Sequence, residues 1–363
     1  MLAMEARRSG YRVVVLTDEP PGCPAGQFAD LELNGSYTDP DLLATFLAEA
    51  DVVTAEFENI PDACLSAVEA ARPLRPSRHA IFTTQHRERE KLFLQAQGIA
   101  CAPFQIVSDL TELEQAVAAL GRPCVIKTAA FGYDGKGQTK VLPETDLAAA
   151  WKDFEGAHAV VEQWISFDIE ISVVGARATD GSTAVHGVME NQHAHHILDV
   201  TIAPARISAD IEAQALALWQ AVVNGLDYVG TIAVEMFVTP AGSVMVNEIA
   251  PRPHNSGHHT IDACRSNQFQ QQLRAICGLP LGDASLHTPA VMVNLLGDEW
   301  PAPDQHPDWT PILHHPTAKL HLYGKHSARA KRKMGHFTVL GPSAETTLQT
   351  ARALQHQLRE ATA

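Results

Sequence analysis

The sequence predicts an α/β protein with an α+β core: a parallel α/β unit at the N-terminus, a β-rich middle and a small C-terminal domain. Three features carry that reading. Helix-like and strand-like stretches alternate through the first part of the chain, which implies a parallel sheet covered on both faces. From Cys124 the texture turns to β around a glycine-rich loop. A length of 363 residues is too great for one ordinary core. Domains are therefore expected at 1–80, 81–280 and 281–363.

Leu2 to Arg8 reads as the tail of a helix stopped by Gly10, and Tyr11 to Thr17 as a buried strand. Asp39 to Ala50 is a second helix and Asp51 to Phe57 a second strand, with Asn59-Ile60-Pro61 turning into the next helix. Ligands of such sheets sit beyond the strand carboxyl ends, where Glu56 and Glu58 stand. A unit of this kind normally opens with a strand and a loop ahead of its first helix. The sequence begins at Met1, inside or just before that helix, so the first strand and its glycine-rich loop are expected to be missing. Thr84 to Gln97 reads as helix, Pro103 to Val107 as extended, and Asp109 to Leu120 as helix stopped by Gly121. CVIKTA, QTKVL, AHAVVEQWI and DIEISVVG read as strands, with a short helix from Glu144. Helices follow at Ala209 to Asn224, Asn267 to Ile276 and Ser343 to Glu360. TIAVEMFV and SVMVNEIA, joined by TPAG, form a hairpin.

Composition excludes several classes of function. Hydrophobic residues make up 45% and charged residues 19%, which is globular rather than disordered. A net charge of −15 argues against a general nucleic-acid binder. No apolar run approaches the ~18 residues of a membrane span, and no signal pattern opens the chain, so a cytoplasmic protein is expected. The six cysteines form no C-x-x-C pair and read as small buried hydrophobes.

Two constellations suggest chemistry. Phe131 to Gln138 holds three glycines between two strands, so its N–H groups can turn toward one point, as an anionic phosphate requires. It is neither a Walker loop nor a Rossmann loop, because no helix opens after it. A hairpin lid over phosphates is the functional reading; a plain turn with extra glycine is the bland one. Lys127, on the strand entering the loop, supplies a point charge for a nucleotide, or else snorkels to an exposed edge. The second constellation is the hairpin. With a turn centred on Ala241-Gly242, Glu235 lies opposite Glu248, and facing carboxylates repel unless a hard cation joins them. Asn247 adds a neighbouring oxygen. The bland alternative is an odd-length turn that shifts the register and sends one glutamate to solvent. Arg252 to His258 follows as a polar loop at the strand end.

Lys325, Arg329, Lys331, Arg332 and Lys333 cluster against the acidic background and suit a phosphate monoester. The histidines at 193, 195, 196, 254, 258 and 259 suggest metal ligands, but no HExxH or cysteine partner accompanies them. His193 reads as a nucleotide contact and the others as surface residues.

The strings AEFENIP, KTAAFGYDGKGQ, VVEQWI with a later EIS, VNEIAPRPHNSGHHT and YGKHSARAKRKMGH run in order from Glu56 to His336. As a set they resemble the ATP-grasp superfamily, and within it the N5-carboxyaminoimidazole ribonucleotide synthase family, the ATPase subunit of phosphoribosylaminoimidazole carboxylase. The resemblance implies an ATP-grasp fold behind an N-terminal pre-ATP-grasp domain, with ATP and Mg2+ as cofactors. It implies that Arg87 and Lys127 touch ATP phosphates under a lid of Gly132, Tyr133, Asp134, Gly135, Lys136, Gly137 and Gln138. Glu162, Gln163, Trp164 and Ile165 would pair with adenine, Glu170 would hold the ribose, and His193 and Asn247 would lie beside the nucleotide. Glu235 and Glu248 would bind the metal. Glu56, Lys325, Arg332 and Lys333 would bind the ribonucleotide substrate, with Tyr133, Asp134, Arg252 and His254 at the reacting centre.

The implied activity is an ATP-dependent carbon–nitrogen ligation. Bicarbonate takes the γ-phosphoryl group, and the resulting carboxyphosphate carboxylates 5-aminoimidazole ribonucleotide in purine biosynthesis. The family further implies a homodimer and transient contact with a carboxylase-mutase subunit; neither nucleic acid nor membrane is an expected partner. One departure stands out: the family's R-P-G-R-K-M-G-H is Arg329 to His336 here, with alanine and lysine in place of proline and glycine. The alternatives are a formate-dependent glycinamide ribonucleotide transformylase, against which N-S-G-H and E-F-E-N speak, and a non-catalytic nucleotide-binding protein.

Overall fold

The computed structural model describes residues 1–130, 137–154, 158–303 and 305–362. The lid residues Gly132, Tyr133, Asp134, Gly135 and Lys136 lie outside the described residues.

The N-terminal unit runs α1 (Leu2–Arg8), β1 (Val14–Thr17), β2 (Leu31–Asn34), α2 (Pro40–Glu49), α3 (Asp62–Ala71) and α4 (Arg78–Thr84). Asp39 caps α2 by accepting from the N–H groups of Asp41 and Leu42. β1 and β2 pair in parallel, Val14 opposite Leu31. The strand expected at Asp51 to Phe57 does not form: only Val53 makes an isolated bridge, to Leu74. The facing segment is Arg72-Pro73-Leu74-Arg75-Pro76, and its two prolines have no N–H with which to extend a ladder.

Next come α5 (Arg87–Ala96), β3 (Phe104–Val107), α6 (Leu110–Leu120), β4 (Cys124–Thr128), β5 (Gln138–Val141), α7 (Leu147–Trp151) and β6 (Ala159–Gln163). The single helix expected from Thr84 is interrupted. His86 bridges to Ala130, and the Arg87 N–H donates to the Ala129 carbonyl at 2.7 Å, which pins the start of α5 to the exit of β4. The strands form an antiparallel sheet in the order β3-β6-β4-β5. Register sets Lys127 beside Gln138 and Val160, and Val125 beside Lys140 and Glu162, so Lys127 and Glu162 share a face. The other face packs Ile126, Val141 and Val161 on Leu113, Val117 and Trp151.

The remainder is β7 (Ile169–Arg177), β8 (Thr183–Ala194), β9 (Ile197–Ala203), α8 (Ala209–Gly225), β10 (Gly230–Val238), β11 (Val244–Ala250), α9 (Thr260–Ala263), α10 (Gln268–Ile276), β12 (Ala290–Leu296), α11 (Thr310–His314), β13 (Ala318–Leu322), β14 (Lys333–Leu340) and α12 (Ala344–Thr362). Its strands make one eight-stranded antiparallel sheet, β11-β10-β7-β8-β9-β12-β14-β13. The C-terminal strands thus continue the central sheet through the β9–β12 pairing. One face is apolar: Val173, Ile232 and Val234 pack on Trp219 and Val222 of α8, and farther along Val293 and Phe337 meet Leu354 and Leu358 of α12. The opposite face carries Glu235, Ser172, Asn191, Thr201, Asn294 and His336. The six cysteines are free; Cys101 and Cys277 are half-buried and the rest buried. Among the described residues, no helix is long and apolar enough to cross a membrane.

Candidate active site

The β10–β11 hairpin turns through five residues, closed by the Thr239 N–H donating to Ser243 O and the Gly242 N–H to Thr239 O, both at 2.9 Å. That odd turn pairs Met236 with Val246, a register which, continued, would set Glu235 against Asn247. A bulge absorbs Asn247 and brings Glu235 opposite Glu248. The carboxylates face each other as expected, by a different route. The displaced Asn247 carbonyl accepts from Lys91 Nζ at 3.1 Å.

The pair is short of positive charge. Burial first, and then the charge of Glu248, push the Glu235 carboxyl up to about 7. Glu248 is more open, its side chain 43% exposed against 14% for Glu235. Burial opposes its charge too, but Arg87 and Lys127 outweigh that and hold it below the usual carboxylate range. Arg87 Nη2 reaches Glu248 at 3.3 Å, and His254 Nε2 lies 3.2 Å from Glu235 Oε1. His254 adds no charge, because burial, then Arg252 and Lys333, keeps it neutral. Oxygen donors with unbalanced negative charge fit a hard divalent cation such as Mg2+, which takes few carboxylates and completes its shell with substrate oxygens. Among the described residues, no three histidine, cysteine or acidic side chains converge as a cage of their own.

Across the cleft the balance reverses. Glu162, only 3% exposed, receives Lys127 Nζ at 3.0 Å, Lys91 Nζ at 3.4 Å and Arg87 Nη1 at 3.7 Å. Burial would raise its carboxyl, but Lys91, Lys127 and Arg87 hold it at about 2. Lys127 does not snorkel; burial brings its ammonium down to about 8, against the pull of Glu162. Lys91, one helical turn after Arg87 on α5, escaped the sequence reading, although the four-residue spacing of two cations was visible. Gly137 sits at φ +69, where a Cβ would come within 2.4 Å of Thr128 Oγ1.

The Gln163 and Trp164 N–H groups donate to the Pro103 and Pro123 carbonyls at 2.8 and 3.2 Å, which removes them as donors to a ligand. Lys140 Nζ stacks 3.6 Å from the Trp164 ring centre. Glu170 pairs with His193 and, against burial, raises its affinity for a proton.

On the remaining side, Arg252 Nη2 meets Glu58 Oε1 at 2.7 Å, whereas Glu56 is exposed. Lys325 Nζ donates to the Lys333 carbonyl at 2.7 Å, and Arg332 Nη1 to Ser327 O at 3.0 Å. The charge of Lys333 lowers the proton affinity of Glu235, a small electrostatic link between the basic loop and the paired carboxylates. Lys331 adopts φ +66, a left-handed conformation, at the position where the resembled motif carries glycine. The loop is also tied to the N-terminal unit: Gln27 Nε2 donates to Gly324 O at 3.2 Å, and His326 Nε2 to Gly22 O at 3.0 Å. His254, His258 and His259 are buried rather than surface residues, since Gln268 and Ser256 offer them polar partners; His195 and His196 are exposed.

Two antiparallel sheets that close on a cleft of this polarity define an ATP-grasp ligase, and the ATP-grasp domain profile matches residues 92–269. Residues 1–85 match the ribonucleotide synthetase preATP-grasp domain, and 290–350 the phosphoribosylaminoimidazole carboxylase C-terminal domain. The chain belongs to the N5-carboxyaminoimidazole ribonucleotide synthase family. It is 41% identical to the N5-carboxyaminoimidazole ribonucleotide synthase of Bacillus subtilis, over 94% of this chain and 88% of that one. An N5-carboxyaminoimidazole ribonucleotide synthetase solved with ADP superposes with a TM-score of 0.91 at 39% identity, covering 99% of this chain and 94% of the other. The Aspergillus clavatus N5-carboxyaminoimidazole synthase, solved with ADP and 5-aminoimidazole ribonucleotide, gives 0.90 at 30% identity, covering 99% and 95%.

Proposed function

We propose that this chain uses ATP and bicarbonate to carboxylate the exocyclic amine of 5-aminoimidazole ribonucleotide. The observation that carries the reading is the opposition of Glu235 and Glu248 beside the cation cluster on Glu162. A bicarbonate oxygen attacks the γ-phosphorus, ADP leaves, and carboxyphosphate forms. The amine then attacks its carboxyl carbon, inorganic phosphate leaves, and the amine gives up a proton. Arg87 and Lys127 spread the charge of the transferring phosphoryl group. Mg2+, held by Glu235 and Glu248, would neutralise the ATP oxygens.

Ile165 and the carbonyls of 162–165 take the adenine, and Glu170 with His193 the ribose. Gly137 and Gln138 follow the lid that shields carboxyphosphate from water. Arg252, anchored by Glu58, and His254 orient the aminoimidazole; Asp134 is the group for its proton. Lys325, Arg332 and Lys333 take the substrate phosphate, with Glu56 at the rim. The family likeness supports a homodimer that meets a carboxylase-mutase transiently.

Phosphate release from ATP should require bicarbonate and rise with 5-aminoimidazole ribonucleotide. Release indifferent to that nucleotide, or driven instead by formate with glycinamide ribonucleotide, would overturn the reading.

A further inference from the structure

We infer that a one-way chain of buried hydrogen bonds presets His254 as its Nε2–H tautomer, so that a neutral donor orients the Glu235 carboxylate toward the cation. The inference rests on the proposed role of Glu235 as a metal ligand.

The chain begins at Thr201, whose Oγ1 donates to Asn191 Oδ1 at 3.1 Å. Asn191 Nδ2 donates to Ser172 Oγ at 2.9 Å, and Ser172 Oγ to Ser256 Oγ at 2.8 Å. Ser256 Oγ lies 3.0 Å from His254 Nδ1. All five residues are buried, so no solvent competes for these groups.

Direction is set from both ends. An amide nitrogen only donates, so Ser172 accepts from Asn191, and the Ser172 hydroxyl in turn donates to Ser256 Oγ. Ser256 then gives its proton to Nδ1. Independently, the Ser256 main-chain N–H points at the same Nδ1 at 3.3 Å, and a main-chain donor cannot reverse. A neutral imidazole that accepts at Nδ1 carries its proton on Nε2, the atom facing Glu235 Oε1.

The loop has little freedom to deviate. Gln268 clamps the His254 main chain from both sides, accepting from its N–H and donating to its carbonyl, each at 2.8 Å. Asn255 forms a reciprocal amide pair with Asn294 of β12 at 2.9 and 2.6 Å. Glu235 itself lies opposite Ser172 in the β10–β7 register, so the chain leaves and re-enters the sheet at one rung. A charged imidazolium would compete with the metal for the carboxylate. A neutral Nε2–H fixes one oxygen and leaves the charge for the cation.

The test is a long-range proton–nitrogen NMR correlation on 15N-labelled protein, free of metal and nucleotide, with His254 assigned by its loss in His254→Phe. The expected spectrum has an unprotonated Nδ1. A protonated Nδ1 overturns the inference whatever the metal does. A second measurement is Mn2+ binding followed by electron paramagnetic resonance in the presence of ADP. Ser172→Ala should weaken it about 10-fold, at the low end for outer-shell partners, with ADP affinity in the absence of metal unchanged. Unaltered Mn2+ affinity in that variant would refute the orienting role. Wild-type Mn2+ affinity in Glu248→Ala would instead sink the metal reading and leave the tautomer result standing.

Discussion

One wall of the cleft gathers three cations around a single buried carboxylate; the other sets two carboxylates face to face with one arginine shared between the walls. Glu162 gives up its proton far more readily than an ordinary glutamate, while Glu235 holds its proton up to about 7. Neighbouring glutamates in one site therefore do opposite work. Glu162 keeps Lys91, Lys127 and Arg87 assembled with positive charge to spare, ready for phosphates. Glu235 and Glu248 keep negative charge to spare, ready for a cation. On the proposed function, the two walls together complement a metal–triphosphate.

The sharpest way to break this contrast is Glu162→Gln. Buried Lys91 and the half-buried Lys127 and Arg87 would lose the carboxylate they share, and unfolding in urea should show a loss of about 3–5 kcal/mol. The sign with pH follows. Because the folded state depresses this carboxyl, its stabilising contribution is present above the ordinary carboxylate range and is lost as pH falls toward about 2. The variant should lack that acid-side decline.

Lys127 probes the same wall more gently. Burial lowers its ammonium to about 8, so the free protein loses this charge as pH rises past that value. ATP affinity should be level below it and weaken by at most about tenfold per pH unit above it, as one linked proton requires. Equilibrium binding across pH measures this, and Lys127→Met should flatten the profile.

The smallest effect separates charge from shape. Lys331→Gly removes a left-handed lysine from the basic loop and should stabilise the protein by about 0.5–1 kcal/mol, after the added entropy of glycine in the unfolded chain is set against the relieved strain. Thermal denaturation reads the change.

The longer helices were legible because capping and periodicity are local, and Asp39, Asp109 and Ser208 cap where their sequences indicate, whereas the short α4, α9 and α11 were not read. β8, β9, β12, β13 and β14 were not. The β8–β9 turn is His195-His196 at φ 52 and 66, without the asparagine or glycine that announces such a turn, and the remaining strands are recruited by a sheet edge that only the fold supplies. Glu235 and Glu248 were found through their spacing, yet the bulge that aligns them leaves no signature in composition. Lys91 and the Thr201-to-His254 chain stayed hidden because their function depends on burial. Glu56 and Glu58 were both read at the strand end and the resemblance singled out Glu56; that Glu58 holds Arg252 depends on a tertiary contact.

The most direct measurement is calorimetric titration of ATP into wild type and Glu248→Ala, each with and without Mg2+. Wild type should bind more tightly with the metal. The variant should lose that gain while binding metal-free ATP at least as well as wild type, since Arg87 is released toward the phosphates. A variant that keeps the full Mg2+ enhancement would contradict the division of charge on which the site is built.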